Sequence, residues 1–118
     1  MSYIDGLVIP VPEGNKQAFL ASAQKMTVLL KRLGATRVVD CWGTDVPDGK
    51  VTDFKRAVAA QVGETVAFSW VEWPSREVRD KANKALMEDP EMKNMDMPFD
   101  GKRLIFGGFE VLHDTATR

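Results

Sequence analysis

Four stretches of the chain are rich in apolar and β-branched residues, and each is predicted to form a β-strand. They run from Tyr3 to Val11, from Ala35 to Thr44, from Thr65 to Trp73 and from Arg103 to Leu112. Proline, glycine or other turn-forming residues bound these stretches, as is typical of strand ends. The third stretch carries the strongest strand pattern, because β-branched and aromatic residues dominate it.

Two further stretches have apolar residues at helical spacing. The first begins at Gly14 or Asn15 and ends at Gly34, and its apolar side chains recur every three or four residues. The second follows Ser75, a favourable N-cap, and ends at Asp89-Pro90, since the residue before a proline avoids the α conformation. Each stretch therefore predicts an amphipathic helix that packs one face against a sheet.

The predicted order of elements is β-α-β-β-α-β, which is the ferredoxin-like arrangement. This order indicates an α+β protein with a four-stranded antiparallel sheet. With 118 residues, the chain is long enough for one compact domain and too short for two. We expect the domain to cover residues 1–112 and residues 113–118 to form a polar tail.

The strands place large apolar residues on both faces of the predicted sheet, although two helices can cover only one face. In the third strand, for example, Phe68 and Trp70 alternate with Val71 and Trp73. Burying eight such side chains would contribute on the order of 10–20 kcal/mol before conformational entropy is subtracted. The pattern therefore predicts a homodimer in which two copies pack sheet against sheet.

Each predicted strand also contains one acidic residue. These residues are Asp5, Asp40, Glu72 and Glu110. Because a sheet face that packs against helices rarely accommodates an acid, we expect the acidic faces to point away from the helices. The acids would then lie in a cavity between the two sheets of the dimer.

The first interpretation of this pattern is a small-molecule pocket on the helix-free face of each sheet. Asp40 or Glu72 would be the polar anchor or the catalytic acid-base group, since a carboxylate in an apolar pocket has a raised pKa. Trp42, Trp70 and Phe106 would form the walls. The candidate ligand-binding residues are Trp42, Trp70, Phe106, Asp5 and Glu110.

Two other interpretations compete with the pocket. In one, the acids have no chemical role and lie near strand ends, meet water or pair with Arg37, Lys102 or Arg103 across the interface. In the other, the long connection from Asp45 to Phe54 contacts a partner, and the protein is a non-catalytic interaction module. An enzyme and a binding protein both fit the pattern.

The composition excludes several classes of site. Sixteen basic and seventeen acidic residues are dispersed along the chain with a net charge of -1, so no basic stripe for nucleic acid is present. Cys41 and His113 are the only residues of their types, so neither a disulfide nor a Cys/His zinc site can form within one chain. No membrane span or basic signal segment is evident. We expect a cytoplasmic protein without a metal or cofactor.

Three motifs occur together in the chain. They are Asp40-Cys41-Trp42 with Val46–Phe54, Phe68–Ser75 with Val78-Arg79-Asp80, and Met97–Arg103. In this order they resemble the YbaA-like family, a small bacterial family of unknown function, over nearly the whole chain. The resemblance implies a dimeric α/β-barrel, in which the sheets of two protomers face each other, and it implies no reaction or catalytic residue.

The wider group of dimeric α/β-barrel proteins includes cofactor-independent oxygenases, isomerases and dehydratases. By analogy alone, each of these activities is an expectation for the pocket. Haem degradation is disfavoured, because no histidine lies in the middle of the chain to act as the proximal ligand.

Overall fold

The computed structural model describes residues 2–116. The strands are β1 (Tyr3–Pro12), β2 (Arg37–Trp42), β3 (Glu64–Trp73) and β4 (Ile105–Glu110), and the helices are α1 (Lys16–Arg32), α2 (Phe54–Ala57), α3 (Arg76–Glu88) and α4 (Pro90–Lys93). β1 and β3 agree closely with the pattern of the sequence, whereas β2 and β4 are shorter than predicted. β4 begins late because residues 100–103 form a turn, in which the amide of Arg103 donates to the carbonyl oxygen of Asp100 over 3.3 Å.

The four strands form one antiparallel sheet in the order β2-β3-β1-β4. β1 and β3 lie in the centre and pair along their whole length, from Tyr3 opposite Trp73 to Pro12 opposite Glu64. The predicted α+β, ferredoxin-like fold with a four-stranded antiparallel sheet is therefore confirmed.

The core lies between the sheet and the helices α1 and α3, on one face only. At one end of the sheet, Trp73 is 1% exposed and packs with Leu30 of α1 and Ala82 of α3. At the other end, Phe19 of α1 packs with Val11 and the neighbouring apolar residues of β1 and β3. These contacts account for the apolar stripe on each predicted helix, and they leave the opposite face of the sheet uncovered by α1 and α3.

The residues that precede α1 and α3 differ in the hydrogen bonds that their side chains make. Ser75 caps α3 as predicted, with its hydroxyl oxygen accepting from the amide of Val78 at 3.2 Å. Asn15, the expected start of the first helix, makes no capping bond, and its amide nitrogen instead donates to the carbonyl oxygen of Pro98 at 2.9 Å. Asn15 therefore ties α1 to the connection that leads into β4.

The motif Met97–Arg103 has a structural role. Arg103 donates through both terminal nitrogens to the carboxylate of Glu64, each over 2.7 Å, and through Nε to Asp100 over 3.0 Å. Phe99 packs against Phe19, with ring centroids 6.1 Å apart. The motif thus fastens the connection before β4 to the start of β3 and to the core.

We expect the Arg103–Glu64 pair to make folding stability depend on acid. The hydrogen bond from Arg103 holds the pKa of Glu64 below its usual value of 4.5, so the unfolded chain binds this proton more readily than the folded one. The contribution is present above that usual value and is lost as the pH falls through the lowered pKa of the folded state.

Glu64→Gln tests this expectation by urea unfolding at several pH values between about 6 and about 3. The variant should lose less free energy of unfolding on acidification than the wild type does. Glu77→Gln, at an exposed position of α3 with a side chain 79% accessible, is the control and should behave as the wild type. An identical acid dependence in the Glu64 variant and the wild type would contradict the expectation.

Candidate functional site: the helix-free face of the sheet

The pairing register divides the residues of the sheet between its two faces, because directly opposed residues in an antiparallel pair point to the same side. Trp73 and Ile9 lie in the core under the helices, which identifies their face as the helix side. The other face is here called the helix-free face. Its residues are Ile4, Gly6 and Val8 of β1, Arg37, Val39 and Cys41 of β2, Phe68, Trp70 and Glu72 of β3, and Ile105, Gly107 and Phe109 of β4.

A groove of about 570 Å³ crosses the helix-free face above β1, β3 and β4. Almost all of its lining is apolar. The lining includes Ile4, Val8, Phe68, Trp70, Ile105 and Phe109. Phe68, Ile105 and Phe109 are 43%, 45% and 60% exposed, so in a single chain this apolar surface is in contact with water.

Two glycines form the floor of the groove. Gly6 and Gly107 are directly opposed across β1 and β4, and the ring of Phe109 lies over both of them. A Cβ atom at Gly6 would be 3.4 Å from this ring, and one at Gly107 would be 3.5 Å from it. Glycine inside a strand often marks the close approach of another group, and here an aromatic ring makes that approach.

A buried carboxylate, that of Glu72, lies at one end of the helix-free face. Glu72 is only 7% exposed, and its Oε2 accepts a hydrogen bond from the indole nitrogen of Trp70 at 3.0 Å. Arg37 forms an ion pair with the same oxygen over 3.6 Å. Glu72 is thus held in place by neighbours on its own face. Arg37 was expected to pair with an acid across the interface, whereas this pair lies within one chain.

Asp5 lies on the helix side, contrary to the prediction. The register pairs it with Val71, and its carboxylate accepts from Arg79 of α3 at 2.8 Å and from the indole nitrogen of Trp73 at 2.9 Å. The hydrogen bonds that Arg79 donates to Asp5 raise the pKa of Arg79 further above its ordinary value. The premise that helices exclude an acid fails here, because α3 supplies the cation that neutralises it.

Asp40 and Trp42 also lie on the helix side, so their predicted placement in the groove is wrong. The hydroxyl of Ser69 donates to Asp40 at 2.7 Å, and the ring of Trp42 packs against Phe19 of α1 with centroids 5.8 Å apart. Asp40 is exposed at the sheet edge, because β2 is an outer strand. Neither side chain meets Glu72, so the structure does not bring the two candidate acids together.

The remaining candidates border the groove at its β4 side. Phe106 is 73% exposed and Glu110 is exposed, and both line the groove although they are paired with helix-side residues of β1. His113 also borders the groove, although the sequence predicts that it begins the polar tail. The alternation of residues along β1 predicts that Ile4 and Val8 share one face of the sheet. No pattern in the neighbouring sequence predicts that His113 lies at the groove.

The connection between β2 and α2 lies beside the same face. Phe54, the first residue of α2, meets Phe68 edge-on with ring centroids 6.3 Å apart, and Phe68 in turn lies 5.9 Å from Trp70. Three aromatic rings therefore run from the connection into the groove. The site combines a long apolar surface with few titratable groups, an arrangement suited to binding an apolar molecule or a second protein surface.

Residues 2–116 contain neither a candidate metal cluster nor a helix that could span a membrane. Within residues 2–116, no three His, Cys, Asp or Glu side chains cluster so that they could hold a metal ion. No helix in the same residues has the length and apolar character needed to cross a bilayer.

Two solved structures have a fold similar to that of this chain. A Bacillus cereus protein provisionally described as an antibiotic biosynthesis monooxygenase is 13% identical with a TM-score of 0.58, covering 98% of both chains. Rv0793 from Mycobacterium tuberculosis is also 13% identical, with a TM-score of 0.54, and the match covers 98% of this chain and 100% of that one. At this identity the likeness concerns the fold alone.

Similarity at the level of sequence is much closer. The uncharacterized protein YbaA of Escherichia coli K12 is 55% identical over 116 residues, which is 97% of this chain and 99% of YbaA. YbaA of Shigella flexneri matches to the same extent. These relatives confirm the resemblance to the YbaA-like family. Residues 2–101 match the DUF1428 family, described as proteins of unknown function, and the chain therefore belongs to that family.

Proposed function

We propose that the protein is a homodimer that binds a small apolar molecule between its two sheets. The helix-free faces of two copies would pack together about a two-fold axis, so that each face contributes the same residues to the interface. The groove of about 570 Å³ would then be closed on its open side by the partner, and its volume is within the range of small-molecule sites.

The observation that carries the proposal is the apolar character of the helix-free face. Phe68, Ile105 and Phe109 of this face are each more than 40% exposed in the single chain, and Phe106 at the border of the groove is 73% exposed. Monomeric proteins rarely leave a large continuous apolar patch in water, because burying it is favourable. A second copy of the same sheet would cover the face and remove most of its apolar surface from water.

The chemistry of the lining favours a ligand that is largely uncharged. Most of the groove is hydrocarbon, and the polar side chains that border it, Glu110 and His113, lie at the β4 rim. An apolar ligand would gain from leaving water, and a single hydroxyl or carbonyl group could reach this rim for orientation. Glu72 would act through the position of Trp70, to which it is hydrogen-bonded, rather than by direct contact.

Native mass spectrometry of the purified protein, combined with sedimentation velocity, tests the proposal. We expect a dimer at micromolar concentration that carries a non-covalent adduct of low mass. Val8→Trp fills the groove and should reduce the adduct at least tenfold, since Val8 lies in its wall. Val28→Trp, on the outer surface of α1 where the valine is 67% exposed, is the matched control and should retain it.

The two parts of the proposal fail separately in this experiment. A stable wild-type monomer would contradict the dimer. A dimer that keeps its adduct at wild-type level in the Val8→Trp variant would contradict the groove as the binding site.

A further inference from the structure

The connection between β2 and α2 contains a tight turn that is closed by one aspartate and one arginine. Asp53 Oδ1 accepts from the amide of Arg56 at 2.7 Å, and Oδ2 accepts from the amide of Gly49 at 3.1 Å and from Arg56 Nε at 2.9 Å. Arg56 also donates to the carbonyl oxygens of Val51, at 3.1 Å, and of Gly49. The backbone hydrogen bond from Arg56 holds the pKa of Asp53 below its usual value.

The backbone of the turn passes very close to Gly49. A Cβ atom at this position would lie 2.1 Å from the carbonyl oxygen of Thr52, so only glycine fits. The Asp53 side chain is 6% exposed despite its place on the surface, because the backbone and Arg56 surround it. The segment 49–56 is therefore ordered by its own hydrogen bonds.

This ordered turn displays two apolar side chains beside the exposed side chains of Lys50 and Thr52. Val51 is 92% exposed and Phe54 is 51% exposed. The carboxylate of Asp53 and the guanidinium of Arg56 are hydrogen-bonded inside the turn, while the valine and the phenylalanine remain exposed to water. This arrangement is preorganised for binding, since docking it would cost little additional ordering of the backbone.

The apolar tip continues the helix-free face. Phe54 contacts Phe68 edge-on, and Phe68 lies in the groove together with Trp70. A surface that covers Phe68 therefore comes close to Phe54, at the end of the turn. On the proposed function, on which this inference rests, that surface is the second copy of the chain.

We propose that residues 50–54 form a docking arm that packs its apolar tip against the partner protomer. Two-fold symmetry supplies two arms, one from each copy, at opposite rims of the interface. The arms add apolar contact outside the sheets and limit how far the two sheets can slide past each other. This role also explains the length of the β2–α2 connection, because a simple turn would need fewer residues.

Val51→Asp tests the arm, with the dimer dissociation constant measured by sedimentation velocity. We expect an increase of about a hundredfold, because each of two arms loses a buried valine worth about tenfold. Val62→Asp is the matched control: this valine is also fully exposed, before β3, and its replacement should leave the dissociation constant unchanged. Asp53→Ala, which opens the turn but keeps Val51, should weaken the dimer to a smaller extent.

The outcomes separate the arm from the proposed function. A wild-type monomer would remove the dimer and the arm together. A wild-type dimer with equal dissociation constants for Val51→Asp and Val62→Asp would leave the dimer intact and overturn the arm. In that case the exposed tip would be available to a different protein.

Discussion

Replacing Phe109 with aspartate should convert the proposed dimer into a monomer. Phe109 is 60% exposed in the single chain and lies on the floor of the groove, so the proposed interface buries most of its ring. Burying one such side chain contributes about 2 kcal/mol, and the two-fold axis counts it twice. The loss of about 4 kcal/mol corresponds to an increase in the dissociation constant of about a thousandfold, to which the desolvation of two carboxylates adds.

Sedimentation velocity over a range of concentrations measures this change, and circular dichroism verifies that the variant folds. Val28→Asp introduces the same charge on the outer surface of α1, and this variant should dimerise as the wild type does. The proposed interface is refuted by a Phe109→Asp protein that is folded and still dimeric at low micromolar concentration.

Replacing Arg79 with methionine should strongly lower the free energy of unfolding. Arg79 and Asp5 form an ion pair at 2.8 Å, with side chains 15% and 14% exposed, between α3 and the helix side of the sheet. The methionine leaves the Asp5 carboxylate without its cation in a mostly buried place. Breaking such a pair costs about 3 kcal/mol in the free energy of unfolding.

Arg76, three residues earlier in the same helix, provides the control. Its side chain is 70% exposed and pairs with Asp80 over 3.6 Å, so Arg76→Met should cost about 0.5 kcal/mol or less. Urea unfolding measures both variants. The double variant Asp5→Asn, Arg79→Met should regain part of the loss, since it removes both charges together. Equal losses in the two single variants would show that the pair is not effectively buried.

The fold could be predicted from the sequence because each of its determinants is local. Period-two apolar patterns mark the strands, period-3.6 patterns mark α1 and α3, and Ser75 caps the helix that it precedes. The order of these elements then restricts the topology to very few choices. The ends of β2 and β4 were harder to predict, since strand ends depend on pairing with a neighbour and on turns such as the one at Asp100.

The candidate site could be predicted only in part. Trp70 and Glu72 were assigned to the helix-free face and lie on it, whereas Asp5, Asp40 and Trp42 lie on the helix side. The four acids look alike in the sequence, because each is a single acid within an apolar strand. Asp5 is compensated by Arg79, which is 74 residues away in sequence, and no local pattern reveals that partner.

By itself, the sequence determined that this chain forms a four-stranded ferredoxin-like sheet with apolar residues on both faces, because alternation along a strand is a property of neighbouring residues. Only the tertiary structure decided which face of each strand meets the helices. That choice depends on the register between β1, β3 and β4 and on the ion pair from α3, which are contacts between distant parts of the chain. The groove, its glycine floor and the histidine at its rim exist only once those contacts are made.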